Sequence, residues 1–182
     1  IGKQDQYAAS FGGFNIFQFN PDGKVEIEPI LLDYKKRIDL ENHMMIFFTS
    51  ITRRASNILM EQRSNISTNL ESLKSMTQLV DLFKAKLLKG DFETLGNLLH
   101  EGWLKKRKLA SQISNNIIDK LYAAGMRNGA WGGKLLGAGG GGCILFLVPP
   151  KKKKDVRIAI NRIAARNSLS EFQEVPVKFV HS

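Results

Sequence analysis

The amino-acid sequence predicts an α+β fold with a ferredoxin-like plan, a split βαβ arrangement carrying extra helices in its first crossover. Three observations carry this. Counted from Met44, the apolar pattern runs strand, several helices, strand, strand, helix, strand. The apolar period turns helical after Phe48 for about eighty residues and becomes strand-like again at a glycine-rich stretch before Cys143. Finally, 182 residues, 43% of them apolar and 24% charged, suffice for a real core, in one domain or one plus part of another.

The elements follow in order. Phe11–Phe19 and Lys24–Ile30 are β-rich runs separated by Asn20-Pro21-Asp22-Gly23, a turn in which proline presets φ and glycine accepts a positive one, so a hairpin is predicted. In its second arm Val25, Ile27 and Pro29 alternate with Lys24, Glu26 and Glu28. Residues 33–42 are charged and read as a loop. Met44–Phe48 reads as a buried strand. Ile58, Gln62 and Ile66 flank a first helix, and Leu70, Leu73, Met76, Val80, Phe83 and Leu87 stripe a second. Gly90-Asp91 stops that helix and caps the next, which carries Phe92, Leu95, Leu98, Leu99 and Trp103 and ends in Lys105-Lys106-Arg107-Lys108, cations suited to a helix C-terminus. Ser114 or Asn115 opens a fourth helix that Gly125 is expected to stop. A strand near Ala130–Leu136, a strand Cys143–Val148 closed by Pro149-Pro150, a helix Asp155–Arg166 and a last strand Phe172–Val180 complete the reading.

Composition excludes several classes. Sixteen glycines and five prolines without a low-complexity tract argue against collagen-like or disordered chains. The longest apolar candidate, Cys143–Val148, falls far short of the roughly 18 residues a membrane helix needs, so no membrane partner is expected. A single cysteine excludes an internal disulfide and a cysteine-cluster zinc site, and three scattered histidines make no metal site; a cytoplasmic protein is expected. Ile1 is not an initiator methionine, and the opening reads as the middle of a longer chain.

The net charge of +10 is uneven: −1 over residues 1–40, +4 over 41–110 and +7 over 111–182. Nucleic acid, an anionic membrane surface and phosphorylated small molecules are all attracted by such a field. Lys151–Lys154 invite a nucleic-acid reading, with Phe47, Phe48 or Phe146 stacking bases in a basic ferredoxin-like RNA-binding module. Those phenylalanines lie in runs apolar on both faces, which favours buried strands over a stacking platform and the lysines as a solvated helix entrance.

The most informative stretch is Gly129–Gly142, eight glycines in fourteen residues around Lys134. Such a run lets backbone approach backbone and can turn N–H groups toward an anion; a tight hairpin turn or packing contact is the plainer alternative, and the Walker pattern is absent. Lys134 is either a cleft cation or an edge-strand solubility device.

The ungapped order Gly132-Gly133-Lys134-Leu135-Leu136-Gly137-Ala138-Gly139-Gly140-Gly141-Gly142-Cys143 resembles the C-terminal glycine motif of the GHMP small-molecule kinases, the family of galactokinase, homoserine kinase, mevalonate kinase and phosphomevalonate kinase. The opening Gly2-Lys3-Gln4-Asp5-Gln6-Tyr7-Ala8-Ala9, with Gly12-Gly13, is similar to the segment carrying the family's catalytic aspartate. Thr49–Ser56, Leu99–Trp103 with its trailing lysines, and Ile113-Ser114-Asn115 resemble the branch acting on D-glycero-D-manno-heptose 7-phosphate.

The resemblance implies a GHMP kinase C-terminal domain over residues 41–182, preceded over 1–40 by the end of the N-terminal domain. It implies transfer of the γ-phosphate of ATP to a sugar hydroxyl, foremost C1 of the heptose 7-phosphate, with galactokinase- or fucokinase-like activity as the near alternative. Asp5 would accept or orient the hydroxyl proton, though by residue type alone an N-cap role is favoured. Arg53 and Arg54 would anchor the substrate phosphate or else face water, with Lys3 and Thr52 beside the substrate. Gly137, Gly139, Gly140, Gly141 and Gly142, with Lys134, would support the cleft near the phosphates. The family's Gly-Leu-Gly-Ser-Ser-Ala loop and its magnesium ligands precede the aspartate segment and are absent here, so ATP and Mg²⁺ are expected to be held mainly by a preceding part, and this segment alone is expected to be inactive. The expected partners are ATP and a sugar phosphate, not nucleic acid.

Overall fold

The computed structural model describes residues 3–52 and 55–179. It comprises α1 (Lys3–Phe11), β1 (Asn15–Phe19), β2 (Val25–Pro29), α2 (Tyr34–His43), β3 (Met44–Phe48), α3 (Ala55–Ser64), α4 (Leu70–Lys89), α5 (Phe92–Arg107), α6 (Asn116–Arg127), β4 (Gly132–Leu135), β5 (Cys143–Leu147), a 3₁₀ turn (Pro150–Lys152), α7 (Lys153–Arg166) and β6 (Gln173–Val175). β1 and β2 form the predicted hairpin, Phe17 opposite Ile27. The other four strands form one antiparallel sheet in the order β4-β5-β3-β6. Renumbered from β3 as the first strand, this is the order 2-3-1-4 of the ferredoxin-like plan, with α3 to α6 in the first crossover.

The sheet alternates as a half-buried strand pattern demands. Met45 and Phe47 of β3 pair with Phe146 and Ile144 of β5, all four almost fully buried on the face that α6 and α7 cover with Ile118, Leu121, Val156 and Ile160. Phe47 and Phe146 therefore lie inside the core, with no free ring face for a base. A second cluster joins Leu40 of α2, Leu87 of α4, Phe92 and Leu95 of α5 and Leu147 of β5. α5 lies directly on β4 because Gly96 and Gly132 face each other: a Cβ on Gly132 would stand 1.8 Å from the Gly96 carbonyl oxygen. Among the described residues no helix is long and apolar enough to cross a membrane.

Four local expectations are corrected. Residues 34–43 are a helix, not a loop: the Asp33 carboxylate accepts the Lys36 N–H at 2.8 Å as an N-cap, and Leu40 alone anchors the helix in the core, too little for an apolar stripe. Phe11 ends α1 rather than starting a strand, because Gly12 and Gly13 both take left-handed φ (+59° and +63°) and turn the chain into β1. Gly125 does not stop α6: it lies inside the helix, where a Cβ would meet the Phe146 ring at 2.6 Å. The last strand is only Gln173–Val175, since Pro176 has no N–H for the ladder; Val180 lies outside the described residues.

Candidate active site

The loop between β4 and β5 is held by the backbones it touches. Gly137, Gly139, Gly140 and Gly142 all have left-handed φ, from +69° to +118°, a conformation that L side chains resist. The Gly140 N–H donates to the Ile113 carbonyl at 2.8 Å, and the Gly142 N–H donates to the Ile51 carbonyl at 3.0 Å. A Cβ on Gly139 would lie 2.9 Å from Ile113 backbone, and one on Gly141 only 2.0 Å from the Ile51 oxygen. These glycines allow close backbone packing, and the amides of Gly140 and Gly142 are used within the protein instead of facing an anion.

Two polar side chains that sequence reasoning gave no such role complete the stitching. The buried Thr49 hydroxyl donates to the Gly142 carbonyl at 2.8 Å, beside the Thr49 N–H at 2.9 Å. Asn115 caps α6 by accepting from the N–H groups of Ile117 and Ile118 at 3.0 Å, while its amide donates to the Gly140 carbonyl at 3.4 Å. The loop thus ties the end of β3 to the start of α6. Ser50, between Thr49 and Ile51, takes a left-handed φ of +55°, a strained conformation for a residue with a side chain.

Cations gather at the same place. Lys106, in the last turn of α5, donates its ammonium to the Gly137 carbonyl. Burial lowers its pKa to about 8, the like charge of Lys134 adds to the depression, and the Asp5 carboxylate opposes both. Lys134, half-buried on β4, is likewise depressed by burial. Asp5 itself is exposed in the first turn of α1, with Lys3 exposed two residues before it. Three segments far apart in the chain therefore meet electrostatically: the start of α1, the end of α5, and β4 with its glycine loop.

Lys106 was legible only as one of four C-terminal cations. Its neighbours are otherwise engaged: Lys105 pairs with Glu101 at 2.7 Å, and Arg107 pairs with Asp119 at 2.8 Å and lies 6.0 Å over the Trp103 ring. Between α4 and α5, a cavity of about 270 Å³ lined by Met76, Phe83, Leu99 and Trp103 opens beside Lys106 and Lys134. Trp103 is core, as its place in the helical stripe predicts. His100 is half-buried and donates from Nδ1 to the Tyr122 hydroxyl at 2.8 Å, which in turn donates to the Gly133 carbonyl at 3.0 Å; burial pushes the Tyr122 phenol well above its usual range. The pair braces β4 below Lys134.

The remaining expected residues are placed as follows. Thr52 is exposed in the segment after β3. Arg53 and Arg54 lie outside the described residues. Among the described residues no three histidine, cysteine, aspartate or glutamate side chains lie close enough to hold a metal ion. The site offers cations and one carboxylate, a set suited to an anionic phosphoryl group but not to chelating a divalent metal on its own.

Residues 83–168 match the family model described as GHMP kinases C terminal. The D-glycero-alpha-D-manno-heptose 7-phosphate kinase of Campylobacter jejuni is 34% identical over 140 residues, covering 76% of this chain and 41% of that protein. The bifunctional fucokinase/GDP-fucose pyrophosphorylase of Arabidopsis thaliana is 28% identical over 146 residues, covering 76% of this chain and 14% of that protein. Among solved structures, a D-glycero-D-manno-heptose 1-phosphate kinase from Bacteroides thetaiotaomicron aligns with a TM-score of 0.69 and 29% identity, over 98% of this chain and 46% of that one. The chain spans less than half the length of each of these relatives.

Proposed function

We propose that the protein acts in an ATP-dependent sugar kinase and supplies its aspartate segment and glycine-loop half of the cleft, a reading supported by the match of residues 83–168 to the family model described as GHMP kinases C terminal. The observation that supports this is the charge group at the glycine loop, where Lys106 donates to the Gly137 carbonyl and both Lys134 and the Asp5 carboxylate lie within electrostatic reach of Lys106. The acceptor is the C1 hydroxyl of D-glycero-D-manno-heptose 7-phosphate; the identity to the Campylobacter jejuni relative supports the heptose branch.

In the reaction, the sugar hydroxyl oxygen forms a bond to the γ-phosphorus of ATP as the bond from that phosphorus to the β-γ bridging oxygen breaks, and ADP leaves. Asp5 takes the hydroxyl proton. Lys106 and Lys134 offset the negative charge spread over the transferring phosphoryl oxygens, in a half-buried setting where such stabilisation is stronger than in water. Arg53 and Arg54 hold the 7-phosphate through their planar forks, with Thr52 and Lys3 at the edge of the substrate. Gly137 to Gly142 keep the loop's path and so fix where Lys106 anchors. Magnesium, when bound, would screen the phosphate charge; among the described residues no group of three acidic, histidine or cysteine side chains could hold it. The kinase acts in the cytoplasm on small molecules.

The test is ADP release by a protein that joins this chain to the preceding kinase half, with ATP and magnesium, on heptose 7-phosphate, fucose and galactose. Turnover confined to the heptose supports the assignment. Turnover on fucose, the sugar named in the Arabidopsis relative, keeps the kinase and replaces the substrate.

A further inference from the structure

The lysine run of the sequence and the end of the sheet farthest from the glycine loop have no part in the proposed kinase chemistry, yet they frame a second polar cleft. It measures about 390 Å³ and lies between the C-terminal end of α6 and the outer face of α7, lined by Arg127, Asn128, Gly129, Lys152, Asp155 and Arg162. β4 and β5 connect the two places: Gly132 and Leu147, paired at the cleft end of the sheet, are one strand length from Leu135 and Cys143 at the loop end.

Its charges are of the unspent kind. On α7, Asp155, Ala159 and Arg162 recur at helical spacing and line one wall. Arg127 and Arg162 make no hydrogen bond or ion pair with any described residue, whereas Arg157, on another face of α7, is held by Glu174. The one carboxylate in the cleft, Asp155, is shared with Lys152 at a loose 3.5 Å. The lining therefore carries three cations against one anion. Lys152 is also positioned: its stem lies over Gly129, whose φ is +108°, and a Cβ there would come within 2.9 Å of the Lys152 Cγ. Two planar guanidinium forks and a lysine lining one polar cleft match a compact ligand with several oxyanion oxygens.

We propose that this cleft is a second ligand site, binding a small molecule that carries at least two phosphate or carboxylate groups. The proposal does not depend on the kinase reading, because it concerns binding by this chain alone.

The experiment is isothermal titration of the 182-residue chain at low salt with inorganic pyrophosphate and, separately, with citrate. Arg127 and Arg162 are exposed, so Arg127→Ala and Arg162→Ala should fold with an unchanged thermal midpoint. Each should weaken binding by about tenfold, and the double variant by more. Lys74→Gln, an exposed cation on α4 away from the cleft, should bind as the parent chain does. Tighter binding of pyrophosphate marks phosphoryl groups as the natural ligand chemistry, and tighter binding of citrate marks carboxylates; either supports the site. Equal affinity of the parent and the double variant would overturn it, as would no heat from either anion, or a single-stranded RNA oligomer that displaces them and binds more tightly.

Discussion

Lys106 of α5 donates its ammonium to the carbonyl of Gly137, the first left-handed glycine of the loop. The contact joins residues thirty-one positions apart in sequence and explains why a lysine is tolerated in a half-buried place: its proton is satisfied by a carbonyl, and the Asp5 charge partly offsets burial and the nearby Lys134.

The first prediction concerns pH. With a folded pKa of about 8 against an ordinary 10.5, Lys106 opposes folding in full below pH 8, where both folded and unfolded chains carry its charge. Above that, the folded chain sheds the proton while the unfolded chain keeps it. The unfolded state then binds more protons, so stability rises with pH until about 10.5. Relative to Lys106→Met, the parent chain should gain on the order of 1 kcal/mol between about pH 7 and pH 10, less than full linkage because the ammonium still reaches water. Urea unfolding of both proteins across that range measures it.

A pair of glycine substitutions separates packing from helix propensity. Gly102 and Gly125 both sit inside helices, where alanine is intrinsically better by roughly 1 kcal/mol. At Gly102 the nearest atom to a new Cβ is Leu79 Cδ1 at 3.9 Å, so Gly102→Ala should stabilise by up to about that amount. At Gly125 the Cβ would strike the buried Phe146 ring, so Gly125→Ala should destabilise by about 1–3 kcal/mol. Thermal midpoints moving in the same direction would refute the packing argument.

Thr49→Val removes one hydroxyl at constant shape in a fully buried place. The Gly142 carbonyl keeps the Thr49 N–H, so the expected cost is about 1–2 kcal/mol. Faster hydrogen exchange at the amides of Gly140, Gly142 and Ile51, whose N–H donates to the Thr49 hydroxyl at 3.3 Å, would show that the hydroxyl holds the loop down.

How far the residues announced these features depends on how local their causes are. The hairpin turn, the Gly90 stop with φ +74°, the Asp91 cap and the start of α6 to within Ser114 or Asn115 were legible, since each rests on turn chemistry or capping within a few positions. The α2 helix was not, because an N-cap and one buried leucine hold a segment with no stripe. Gly125 misled because a glycine that accommodates a ring from a distant strand looks the same in sequence as one that ends a helix. At the candidate site, Asp5 and the glycine run stood out as motifs, and Lys134 was visible within one of them. Lys106 was hidden in a basic quartet whose members part only in three dimensions, and Thr49 acts through a contact ninety-three positions away.

In the reaction proposed above, Asp5 removes the proton of a sugar hydroxyl beside the glycine loop. Single-turnover phosphoryl transfer from ATP to heptose 7-phosphate, followed by phosphorus NMR in the full-length kinase and its Asp5→Asn variant, measures this most directly. A new phosphate resonance on C1 is expected, with a rate that falls by about 10²–10⁴-fold in the variant while the substrate still binds. An Asp5→Asn protein that transfers phosphate at the parental rate would contradict it.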